Sequence, residues 1–206
     1  MSEQAELHAG ILLGGKSTRM GQPKHTLRLG DRSFVEIIHA AVAPFTRRVV
    51  ALGRPSVPFD HAIDVIPDAE GVKGPLAGIL AALRSAPEAD WLIVACDMPF
   101  ITTDAIAWID SFRPQSCAAI IPRDQDGIAQ PLLAIYRPSI VEDIMDLIAA
   151  EHAAPRSLAK KEGVLTPLVP EPLAQSWRNV NTPESYDSAR RVGEASSRTV
   201  LRPGEL

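Results

Sequence analysis

Three cations follow a pair of glycines near the start of the chain, in "LLGGKSTRMGQPK" at residues 12–24. Backbone N–H groups in a glycine turn approach an anion closely, and Arg19 and Lys24 add a planar fork and a point charge for phosphate oxygens. Lys16 completes a match to the phosphate-loop pattern G-x-x-x-x-G-K-[ST], counted from Gly10. That match is accidental. The four x positions are Ile11, Leu12, Leu13 and Gly14, and three large aliphatics belong inside a strand. The helix that such a loop must open is interrupted by Gly21 and Pro23. The strand therefore runs through Leu12 or Leu13, and the turn begins at Gly14 and Gly15. A second chemistry-bearing residue, Asp97, ends the apolar run "WLIVACD". A carboxylate at the tip of a buried strand is suited to a hard cation such as Mg2+, which takes one or two protein carboxylates, and a helix-cap or turn role before Pro99 also suits it. Asp68 follows "DVIP" at another expected strand end, where a simple turn role also suits it.

These residues need elements to hold them. "HAGILLG", "RRVVALG", "AIDVIP", "DWLIVAC" and "AAIIP" are short, aliphatic and bounded by Gly, Pro or Asp, as buried strands are. Between them lie helices with readable starts. Ser33 with Glu36, and Ser139 with Glu142, have capping-box spacing, and Pro75 suits a first helical position. Alternating strands and helices predict an α/β fold with a mostly parallel, three-layer Rossmann-like sheet. "QPLLAIY" predicts an antiparallel strand in the last third, and Thr182-Pro183-Glu184 a final helix start. One domain is expected over residues 8–190, with a flexible tail over 193–206.

The chain has 206 residues, 46% of them hydrophobic and 22% charged, with a formal net charge of −4. That balance suits a soluble protein and supplies no global basic field for nucleic acid. No apolar run approaches the roughly 20 residues of a membrane span. Cys96 and Cys117 have no metal or redox spacing, and the acidic start lacks secretory character, so a cytoplasmic protein is expected.

"LLGGKSTRMGQPK" resembles the L-x-G-G-x-S-x-R-M-G-x-x-K signature of the molybdenum cofactor guanylyltransferase family. Asp68 in "VIPD", "GPLAG" at 74–78, "CDMP" at 96–99 and "NVNTPE" at 179–184 follow in that family's order. The resemblance implies the nucleotide-diphospho-sugar transferase type of fold. It also implies transfer of GMP from GTP to the terminal phosphate of molybdopterin, with Mg2+. Carried over residue by residue, it makes Arg19, Lys24 and Asp97 catalytic, with Asp97 the metal ligand. Leu12, Leu13, Gly14, Gly15, Lys24, Asp68 and Asp97 would meet the nucleotide. Arg156, Asn179 and Asn181 would meet molybdopterin, although each asparagine also suits a helix cap and Arg156 a surface ion pair. Proteins that insert molybdenum or accept the finished cofactor are implied partners.

Three departures stand out: Leu13 for the usual Ala, Ala51 where an Asn is common, and a loop one residue shorter before Lys24. The intact "GPLAG" favours GTP. A CTP-dependent molybdopterin cytidylyltransferase, a sugar-phosphate nucleotidyltransferase and a nucleotide-binding partner with impaired catalysis remain the alternatives.

Overall fold

In the computed structural model, which describes residues 5–13, 24–54, 63–151 and 154–199, a seven-stranded sheet runs in the order β5-β4-β1-β6-β8-β7-β9. The strands are β1 (Leu7–Leu12), β4 (Arg48–Leu52), β5 (Asp64–Ile66), β6 (Asp90–Ala95), β7 (Ala119–Ile120), β8 (Leu133–Tyr136) and β9 (Val164–Leu165). β1 pairs in parallel with both β4 and β6, and β8 is antiparallel to β6 and β7. The expected architecture is present, with its reversed strand in "QPLLAIY".

Every residue of β1 and β6 is buried, which is why both read as unbroken apolar runs rather than alternating ones. Their side chains still divide by face. Leu92 and Val94 join the core beneath α1 (Phe34–Val42) and α3 (Thr103–Asp110). Trp91 and Ile93 join the opposite core beneath α2 (Pro75–Ser85) and α4 (Val141–Ala149). Gly10 lies in the middle of β1, where an added Cβ would stand 2.4 Å from Leu52 Cδ1. It is a packing glycine of a strand, not the opening glycine of a phosphate loop.

The chain leaves β1 for β4 and β5 on one side, then returns to β6 on the other. The strand order therefore reverses between β1 and β6, and the crevice beyond their carboxyl ends is where such sheets take ligands.

The Ser33 capping box forms as expected, with Glu36 N donating to Ser33 Oγ at 3.1 Å. The Ser139 box does not. Pro138 starts a 3-10 turn (Pro138–Ile140) that runs straight into α4, so Ser139 sits inside the turn and Ile140 occupies the cap. The last helix, α5 (Pro183–Thr199), continues past Gly193, where the sequence reading ended regular structure. A two-stranded hairpin, β2 (Arg28–Leu29) with β3 (Arg32–Ser33), is too short to announce itself in the sequence.

At the opposite end of the sheet, a cavity of about 560 Å³ is bounded by Ala5, Asp90, Arg113 and Arg137. Its charges are already spent. Arg113 Nε donates to Asp90 Oδ2 at 3.0 Å and Nη1 to Asp110 Oδ1 at 3.1 Å, while Nη2 bonds the Ala5 carbonyl. Arg137 binds the carbonyls of Gln115 and Cys117 and approaches the same Asp90 oxygen at 3.5 Å. This network ties the chain start to β6 and the segments before β7 and after β8. Among the described residues no helix is long and apolar enough to cross a membrane.

Candidate active site

β6 delivers Asp97 to the crevice. Cys96 N donates to Leu12 O at 3.0 Å, carrying the β1–β6 ladder one step past the strands, and Met98 N turns back to Ala95 O. Asp97, 8% exposed, is left at the rim of the core. Lys24 Nζ donates to Asp97 Oδ2 at 2.7 Å and also to Asn181 Oδ1. Three stretches distant in sequence thus meet at one ammonium group.

Packing holds that meeting in place. Lys24 begins a 3-10 turn (Lys24–Thr26), closed by Leu27 N donating to Lys24 O. Leu27 and Phe34 pack with Val180 and Ala189, and with partly buried Phe100 and Tyr186, in a small core of their own. The Tyr186 hydroxyl donates to Arg28 O at 2.9 Å. Val180 N donates to Asp97 O at 2.8 Å, which seats "NVN" directly against the aspartate. Val180 is wholly buried while Asn179 and Asn181 are exposed, so the two amides lie to either side of that anchor.

Asp97 Oδ1 is buried and has no hydrogen-bond partner. A buried carboxylate oxygen left unpaired is costly, and a cation relieves the cost. Among the described residues no group of three or more His, Cys, Asp or Glu comes together. A cation here would take Asp97 plus oxygens from outside the protein, a donor set that suits Mg2+ and not a closed structural zinc site.

Asp68 stands just beyond β5, beside two close-packed glycines. A Cβ at Gly53 (φ +104) would lie 3.6 Å from both Asp68 carboxylate oxygens. A Cβ at Gly78, the last residue of "GPLAG", would meet Leu12 Cδ2 at 2.4 Å and Asp68 Oδ1 at 3.5 Å. Gly78 therefore lets α2 lie directly on β1 beside Asp68, and Ala69 N donates to Ala77 O to fix the join. Partial burial raises the Asp68 pKa, and the Arg54 charge opposes the rise.

Next to Asp97, at Met98 and Asn179, opens a cleft of about 350 Å³, bordered also by Pro75, Gln130, Leu132 and Arg156. It pairs apolar walls with one guanidinium and two amides. Gln130 Nε2 donates to Asp124 Oδ2 at 2.7 Å, and Asp124 Oδ1 accepts from the main chain of Asp126 and Ile128, so the cleft's outer loop is internally braced.

The structure thus gathers Lys24, Asp97 and Asn181 at one point and puts Arg156 with Asn179 in the adjoining cleft. Asn181 is on the lysine, not in the cleft. Leu12 and Leu13 are 7% and 5% exposed, so any ligand contact they make runs through main chain. Ala51 is fully enclosed within β4, and the residues past that strand's end are Gly53 and Arg54. Gly14, Gly15, Lys16 and Arg19 lie outside the described residues. Pro75, Met98 and Gln130 were missed as cleft residues. The first two sit inside "GPLAG" and "CDMP", and Gln130 follows a glycine turn and precedes a proline, which was the available signal.

Cys96, beside Asp97, is no nucleophile. Burial first, then the Asp97 charge, pushes its thiol up to about 12. We expect no reaction of Cys96 with a thiol-specific disulfide reagent at pH 8 in the folded protein, and full reaction in guanidinium. A count of released chromophore checks this, and rapid labelling of native Cys96 would contradict it.

A charged crevice at the switch point of a mostly parallel sheet is the site of a nucleotide-handling α/β domain. The chain belongs to the MobA-like NTP transferase domain family, whose model matches residues 9–164. It is 34% identical over 139 residues to a probable molybdenum cofactor guanylyltransferase of Clostridium perfringens, covering 67% of this chain and 69% of that one. A protein of the same description from Pelotomaculum thermopropionicum is 31% identical over 194 residues, covering 90% and 93%. Among solved structures, molybdopterin-guanine dinucleotide biosynthesis protein A of Archaeoglobus fulgidus shares the fold. Its TM-score is 0.78 at 23% identity, over 91% of this chain and 99% of that one. 2-C-methyl-D-erythritol 4-phosphate cytidylyltransferase of Thermus thermophilus shares it too, with a TM-score of 0.64 at 14% identity, over 93% of this chain and all of that one.

Proposed function

We propose that this protein transfers GMP from GTP to the terminal phosphate of molybdopterin, forming the guanine dinucleotide cofactor and releasing pyrophosphate. The observation that carries the reading is the meeting of Lys24, Asp97 and Asn181 next to the cleft that Met98 and Asn179 border. Arg156 and Asn179 border the adjoining cleft together with Pro75 at the "GPLAG" helix start, and Asp68 stands beside Gly53 and Gly78. The relatives' descriptions supply the substrates.

In the reaction an oxygen of the acceptor phosphate bonds to the α-phosphorus of GTP, and the bond from that phosphorus to the β-bridging oxygen breaks. Both reactants are anions, so the protein's task is to neutralise and align them. Lys24 brings a mobile positive charge to the phosphates. Arg19, from the glycine-rich loop, adds a second. Arg156 draws the anionic acceptor into its cleft, and Asn179 offers an amide to the acceptor's polar edge. Asp97 would hold Mg2+, which when bound supplies further charge neutralisation on phosphate oxygens. No side chain forms a covalent intermediate. We assign the reaction to the cytoplasm, with the product passing to an acceptor molybdoenzyme.

Thermal unfolding with each nucleoside triphosphate and Mg2+ tests the nucleotide. A ligand at about 100 times its Kd stabilises by roughly 2.7 kcal/mol, enough to rank the four bases. GTP is expected to give the largest rise in Tm. A larger rise with CTP would transfer the protein to the cytidylyl reaction.

A further inference from the structure

We propose that Lys24, bonded to one oxygen of Asp97 and held there by Asn181, is an exchangeable counter-ion that competes with a divalent cation for the carboxylate. The inference rests on the reading of Asp97 as the metal-holding residue.

The two side chains are only 17% and 12% exposed, and their charged atoms are 2.7 Å apart. Solvent and salt screen such a pair weakly. A second cation brought to the same carboxylate meets the ammonium as a like charge. Lysine can yield because its ammonium rides on a flexible four-carbon stem with rotatable donors. Asn181 cannot follow it. Its own N donates to Ser185 Oγ at 3.1 Å, and neighbouring Val180 is tied to Asp97 O. Asn181 is therefore a positioning residue: its amide oxygen biases the ammonium toward Asp97 when no phosphate is present. Nucleotide phosphates offer Lys24 a stronger partner, so nucleotide and metal favour each other's binding by the same factor. The two asparagines then serve different groups, Asn179 the cleft and Asn181 the lysine.

Mn2+ alone, titrated into the full chain without nucleotide and followed by the electron spin resonance of free Mn2+, reads this directly. Lys24→Met is expected to lower the Mn2+ Kd by about tenfold or more, since a like charge is removed. Lys24→Arg, which keeps the charge, should stay within about threefold of wild type. Asn181→Ala should lower the Kd by roughly two- to fivefold, and it carries the test should Lys24→Met fail to fold by circular dichroism. A folded Lys24→Met protein that binds Mn2+ no more tightly than wild type, or not measurably, overturns the exchange. Adding Asp97→Asn to Lys24→Met separates the two claims. If tight Mn2+ binding survives it, Asp97 is not the metal residue. If Asp97→Asn abolishes binding but Lys24→Met never tightened it, the exchange alone fails.

Discussion

Asp97→Asn is expected to lower kcat for pyrophosphate release by about a thousandfold, while the folded protein loses no stability. The rate loss follows from removing the single negative charge that Lys24 faces at 2.7 Å and that would hold a cation on the phosphates. Asparagine keeps the size and one acceptor oxygen, so the turn after β6 and the bond from Val180 N to Asp97 O are undisturbed. Stability is preserved because Oδ1 is already unpaired in the fold and Lys24, on its flexible stem, keeps the Asn181 oxygen as a partner and can turn to solvent. Replacing a half-satisfied buried carboxylate with a neutral amide relieves a cost rather than adding one. Steady-state kinetics and a thermal melt on the same preparation check both halves. Wild-type turnover in the variant would take Asp97 out of the mechanism, and a large fall in Tm would make it a structural residue instead.

Asp90→Ala should do the reverse, costing about 3–5 kcal/mol of stability with little change in KM for either substrate. The Asp90 side chain is 4% exposed and faces Arg113 at 3.0 Å and Arg137 at 3.5 Å. Removing it leaves two largely buried guanidinium groups with carbonyls and the outlying Asp110 for company. Uncompensated buried charge is what makes one-sided removal costly. For a chain of this length each kcal/mol shifts Tm by roughly 2–4 °C, so a drop on the order of 10 °C is expected. Urea unfolding gives the free energy directly. A loss under about 1 kcal/mol would mean that the arginines find other partners or water when Asp90 is gone.

Two residues show why so much of this fold could be read from the sequence. Asp97 ends an unbroken apolar run, and a buried parallel strand is the element that produces such a run and stops at a polar ligand edge. Pro75 marks its helix start because its fixed φ and missing donor suit only that place. Ser139 shows the limit. Its spacing to Glu142 satisfies the capping rule, but Pro138 begins the helical turn one residue earlier and takes the cap away. The pairing of Asn181 with Lys24 was illegible for another reason. It spans 157 positions and depends on a four-residue satellite core whose members, Leu27, Phe34, Val180 and Ala189, carry no shared periodicity. Ala51 illustrates the same gap between order and space: a position in the chain near a strand end proved to lie within the strand, sealed in the core.

The most direct test of the account is transfer of label from GTP carrying radioactive α-phosphate to molybdopterin by the purified protein with Mg2+. Label is expected in a guanine dinucleotide, matched mole for mole by released pyrophosphate and lost in Asp97→Asn. Equal or greater transfer from α-labelled CTP, or none from GTP with folded protein and intact molybdopterin, would contradict it.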